Sequence, residues 1–176
     1  NYQNIKDINS LDTVIMFCDL RGFTTLSEGK MPFDVVFILN NYFKLVTEAV
    51  TKNRGRIDKF IGDGVMAIFD QDTDTAANCK NALCASSEIA ESLAFLNSEL
   101  SDDDIDTLRI GIGIHTGTAI LGKMGYGQAS SETAVGDTVN VASRLEQLTK
   151  NYSCQLMFSK AVAEKASLNK SVLKSV

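Results

Sequence analysis

The chain has 176 residues, 44% hydrophobic and 22% charged, with a single proline, which fits one folded domain with a substantial core and leaves little room for disorder. The net charge of −5, with Lys and Arg scattered among acids, lacks the concentrated basic face of a sequence-independent nucleic-acid binder. No apolar run reaches the length of a membrane span and no signal-peptide pattern opens the chain, so a cytoplasmic location is expected.

Because the first residue is Asn1, residues 1–176 are read as one domain of a longer protein whose upstream sensor or regulatory domain lies elsewhere. Cys18, Cys79, Cys84 and Cys154 have no C-x-x-C spacing and there is one histidine, so buried or half-buried free thiols are expected and a zinc site is not. The Asn-x-Ser triplets at Asn151 and Asn169 are read as chance matches.

In chain order, the apolar, β-prone run at 13–18 predicts a buried strand with Asp19 at its end. Val36, Leu39, Phe43, Val46 and Val50 then repeat at helical spacing behind Pro32, with Gly55 as the expected C-terminal cap. Runs at 56–61 and 65–69 flank Gly62-Asp63-Gly64 and predict a tight hairpin with Asp63 at its tip. A second helix is expected over about 74–97, a solvated acidic loop over 101–106 and a strand over 108–116.

Runs at 117–122 and 132–135 predict a further hairpin whose tip is Gly125-Tyr126-Gly127. Asp137 is the expected N-cap of a helix with Val141, Leu145 and Leu148 as its apolar stripe and Asn140 and Arg144 on a neighbouring face. One more strand and helix are expected over 155–176. The order β, α, β, β, α, β with an appended hairpin and helix predicts a ferredoxin-like α+β sandwich.

Taken singly, an Asp at a strand end and an Asp between two glycines are ordinary structural residues. Together they say more. If the first strand and the hairpin are neighbours, both carboxylates emerge at one sheet edge beside the Leu20-Arg21-Gly22-Phe23-Thr24 turn, whose backbone N–H groups favour phosphate. Two carboxylates without His or Cys suit Mg²⁺ or Mn²⁺, the ions of two-metal phosphoryl chemistry. His115, within a β-like run, is assigned no role. Gly111-Ile112-Gly113 lacks the rest of a dinucleotide fingerprint.

Three stretches carry a resemblance. Residues 17–24 (FCDLRGFT), 58–67 (DKFIGDGVMA) and 133–144 (TAVGDTVNVASR) resemble, in order, the signature blocks of class III adenylyl and guanylyl cyclases. The resemblance implies that Asp19, Asp63 and the Leu20 carbonyl hold two Mg²⁺ or Mn²⁺ ions, and that Gly22, Phe23 and Thr24 meet the phosphates. Lys59 and Thr133 match the pair that reads the purine, and Asn140 and Arg144 match the residues that orient the ribose and stabilise the transition state. It also implies a homodimer with two equivalent sites, in each of which the metal aspartates of one chain work with Lys59, Thr133, Asn140 and Arg144 of the other.

A Lys donor and a Thr acceptor complement N1 and N6 of adenine, whereas guanine presents the reverse polarity, so ATP is the expected substrate. Thr133 stands where many members carry Asp, as in a subgroup that includes bicarbonate-responsive cyclases, and bicarbonate is thus an expected effector. Some relatives carry a triphosphate-binding Arg where this chain has Gly111, and Arg109, two residues earlier on the same side of a strand, is the candidate substitute. The competing readings are a guanylate cyclase and a cyclase-like module that binds nucleotide without catalysis. A diguanylate cyclase lacks support because its Gly-Gly-Asp/Glu-Glu-Phe signature is absent.

Overall fold

The apolar run at 13–18 is the centre of a longer strand, β1 (Asn9–Leu20), in a computed structural model that describes residues 9–100, 107–125, 130–169, 171 and 173–176. Side chains of β1 alternate between two cores: Val14, Met16, Cys18 and Leu20 enter one, Ile15 and Phe17 the other. After a short helix α1 (Phe23–Glu28), Pro32 opens α2 (Pro32–Lys52), as its fixed φ favours.

The end of α2 differs from the expectation. Arg54, with φ 60°, takes the left-handed position, and the N–H groups of Arg54 and Gly55 donate to the carbonyls of Thr51 and Val50, which closes a Schellman motif. Gly55 follows the cap and is needed for another reason: a Cβ there would run into the Phe69 ring and Val50.

β2 (Arg56–Ile61) and β3 (Gly64–Phe69) form the expected hairpin, joined by Gly62 and Asp63 with Gly62 at φ 61°. Asp74 accepts from the Ala76 N–H at 3.0 Å and starts α3 (Thr75–Leu100). β4 (Ile110–Met124) corrects the sequence reading, because it runs unbroken through Gly117. A Cβ at Gly117 would approach Thr138 Oγ1 to 2.8 Å, so this glycine makes room for a helix and ends no strand. The far end of β4 pairs with β5 (Ser131–Val135) to make the appended hairpin. Tyr126 and Gly127 of its expected tip, and the acidic stretch 101–106, lie outside the described residues.

The helix α4 (Asp137–Asn151) follows, then β6 (Leu156–Phe158) and α5 (Lys160–Lys165). Its N-cap is Gly136, at φ 134° where an L side chain is strained, and not Asp137, which lies in the first turn. Its buried residues are Thr138, Ala142, Glu146 and Thr149; Val141 and Leu145 are half-buried and Leu148 is exposed, so the expected apolar stripe does not face the core.

The sheet runs β2-β3-β1-β4-β5, with β6 parallel to β4. The four strands β4-β1-β3-β2 have the ferredoxin-like order. One face is covered by α2, α3 and α5, and the other packs Ile15, Met66, Ile68, Ala119, Leu121 and Ala134 beneath Ala142 and Val139 of α4. All four cysteines are free, with Cys84 exposed where burial was expected. No helix among the described residues is long and apolar enough to cross a membrane.

Candidate active site

Antiparallel pairing decides where the two acids meet. Cys18 lies opposite Val65, so the turn that precedes β3 sits beside the end of β1, and Asp63 reaches Asp19. Burial, followed by a hydrogen bond to Asp63 and repulsion from it and from Glu146, pushes the Asp19 carboxyl from its ordinary 3.8 up to about 7. Asp19 Oδ1 is buried and has no hydrogen-bond partner among the described residues. An orphaned carboxylate oxygen against a second carboxyl is a site short of positive charge, and its oxygen-only donors fit Mg²⁺ or Mn²⁺.

The turn after Asp19 depends on Gly22, at φ 68°. Its neighbour Arg21 was not singled out by sequence reasoning. The Arg21 guanidinium folds back over β4, fills the space that a side chain at Gly111 would take, and meets Glu146 of α4 at 2.9 Å, with side-chain exposures of 12% and 8%. Arg21 also donates to the Glu146 carbonyl at 3.0 Å. Burial raises the Glu146 carboxyl even though Arg21 lowers it.

Gly113 completes this strip: Ala142 O and Glu146 N of α4 occupy the place of its missing Cβ. Gly111 and Gly113 thus clear a seat for Arg21 and α4. Arg109 lies just before β4, is exposed, and takes the Arg21 N–H on its carbonyl at 2.7 Å. Gly22 and Thr24 are exposed, while Phe23 packs against the main core.

Lys59 and Thr133 stand on the two outer strands of the sheet path, yet both touch one side chain. The pairing of β2 with β3 slips between Ile57 and Lys59, and Asp58 is the extra residue of this bulge. Thr133 Oγ1 donates to Asp58 Oδ2 at 2.7 Å, and Lys59 Nζ lies 3.4 Å from the same oxygen. Asp58 was therefore missed as a site residue, although Ile57 and Phe60, apolar residues three apart in a period-two strand, are the sequence signal of a bulge.

Asn140 and Arg144 are exposed on α4. Two residues along a helix turn through about 200°, so Arg144 points away from the side on which Glu146 meets Arg21. The acidic pair and the Asn140–Arg144 face therefore lie on different sides of α4.

Residues 7–172 match the family model described as the adenylate and guanylate cyclase catalytic domain. The chain belongs to this family.

Among curated relatives in this cyclase family, it is 38% identical over 157 residues to the adenylate cyclase of Anabaena cylindrica, covering 87% of the chain and 30% of the relative. It is 38% identical over 151 residues to adenylate cyclase 1 of Rhizobium meliloti, covering 86% and 23%. The chain thus spans under a third of these relatives' length. The crystal structure of adenylyl cyclase CyaB from P. aeruginosa has a TM-score of 0.85 at 27% identity, over 92% of this chain and 83% of that one. The guanylyl cyclase Cya2 has a TM-score of 0.82 at 31% identity, over 91% and 80%.

Proposed function

We propose that the chain is an adenylate cyclase domain that converts ATP into 3′,5′-cyclic AMP and pyrophosphate at sites shared between two copies. The observation that carries this is the meeting of Asp19 and Asp63 at one sheet edge, with Asp19 Oδ1 buried and unpartnered among the described residues. Relatives named adenylate cyclase at 38% identity support the choice of product.

Asp19, Asp63 and the Leu20 carbonyl hold two Mg²⁺ or Mn²⁺ ions, which when bound activate the ribose 3′-hydroxyl and draw charge from the pyrophosphate. The amides of Gly22 and Phe23, with Thr24, take phosphate oxygens, and Arg109 is the candidate cation for the triphosphate tail. Lys59 of the second copy donates to adenine N1 and Thr133 of that copy accepts from its N6 amino group. From the second copy, Asn140 orients the ribose and Arg144 meets the charge that builds on the α-phosphate.

Two features support a second copy. Asn140 and Arg144 are exposed on α4, and this face continues into exposed Leu148. Phe33, Val36 and Phe37 of α2 and Phe60 and Ile61 of β2 are also exposed, an apolar surface of the kind that association covers. Bicarbonate is proposed as an effector, and unchanged activity on adding it at fixed pH removes that part.

The test is incubation with ATP or GTP and Mn²⁺, followed by identification of the nucleotide formed. Cyclic AMP from ATP is expected. Preferential cyclic GMP formation, or no cyclised product from either, contradicts the proposal.

A further inference from the structure

We infer that Asp58 is the positioning residue that sets purine specificity, by holding the one proton of the Thr133 hydroxyl. This rests on the reading of Lys59 and Thr133 as the purine-recognition pair. A threonine hydroxyl can donate once and accept twice, so by itself it is indifferent to the 6-amino group of adenine and the 6-oxo group of guanine. A carboxylate only accepts. Once Thr133 donates to Asp58 Oδ2 at 2.7 Å, the hydroxyl has only lone pairs to offer the base, and these fit an amino group and reject a carbonyl.

Two further observations hold that proton in place. The Asp58 side chain is fully buried, and its Oδ1 has no hydrogen-bond partner among the described residues. A carboxylate already short of donors loses more by releasing the one from Thr133. Lys59 Nζ lies 3.4 Å from Oδ2, so the same carboxylate tethers the ammonium beside the acceptor. The bulge at Asp58 makes this possible, since adjacent residues of a regular strand point to opposite faces.

The test compares kcat/KM for ATP and GTP in the unaltered chain and in Asp58→Asn, whose amide can donate to Thr133 and turn its hydroxyl toward the base. The ATP:GTP ratio is expected to fall by at least about tenfold, and Thr133→Val to cause a fall that Asp58→Asn does not deepen. If Asp58→Asn is not recovered folded, the smaller Asp58→Ser, whose hydroxyl can also donate, is expected to lower the ratio in the same way. A fall of equal size for both nucleotides, with the ratio unchanged while Thr133→Val lowers it, overturns the role of Asp58 alone. A ratio indifferent to Thr133→Val and Lys59→Ala overturns the recognition pair as well.

Discussion

Replacing Asp19 or Asp63 by alanine is expected to lower cyclase turnover by more than about 10²-fold while far-ultraviolet circular dichroism keeps the parent spectrum. Both side chains are only partly buried, at the end of a strand and in a two-residue turn, so neither substitution opens a cavity in the cores. Near-normal turnover in either variant contradicts the metal assignment. Acidity adds a second prediction at this scale. The Asp19 carboxyl, at about 7 in the fold against an ordinary 3.8, binds its proton more tightly folded than unfolded. Without metal, its contribution to stability is therefore fully present below about pH 4 and is lost as the pH rises through about 7. A divalent cation needs the ionised carboxylate and reverses this trend. Adding Mg²⁺ or Mn²⁺ is thus expected to raise the melting temperature more at about pH 8 than at about pH 6, and an equal rise at both argues against Asp19 as a ligand.

Between elements, α4 packs tightly on β4, and Arg21, Glu146 and Gly113 make that fit. Glu146→Ala leaves the Arg21 guanidinium buried without its carboxylate, which is expected to cost about 3 kcal/mol in urea unfolding. A change under about 0.5 kcal/mol would show the pair to be a surface contact. This fit also marks what could be read beforehand. The hairpin at Gly62-Asp63 and the start of α2 at Pro32 rest on local backbone chemistry, and the sequence states that chemistry directly. Gly117 inside β4 and Gly55 after α2 are present because of Thr138 and Phe69, residues distant in the chain, so both resemble ordinary breaks until the fold is known. The buried face of α4 was misread for a related reason: it meets glycines and an ion pair, so small and charged residues lie inside while Leu148 stays outside. Asp19, Asp63, Lys59, Thr133, Asn140 and Arg144 were legible as motif residues. Asp58 and Glu146 were not, because their roles depend on partners from β5 and from the turn after β1.

For the molecule as a whole, the proposed catalysis requires two copies, with Asp19 and Asp63 of one chain facing Lys59, Thr133, Asn140 and Arg144 of the other. Activity should therefore rise faster than in proportion to protein concentration in the range where dimers form, as dilution assays with ATP and Mn²⁺ would show. The most direct measurement mixes two inactive variants, Asp19→Ala and Arg144→Ala. Each homodimer lacks one half of both sites, whereas the mixed dimer keeps one site whole and one doubly impaired. Cyclic AMP formation is predicted to reappear on mixing and to grow as subunits exchange. Mixed samples in which exchange is demonstrated, yet whose activity stays at the level of the separate variants, would contradict a shared site.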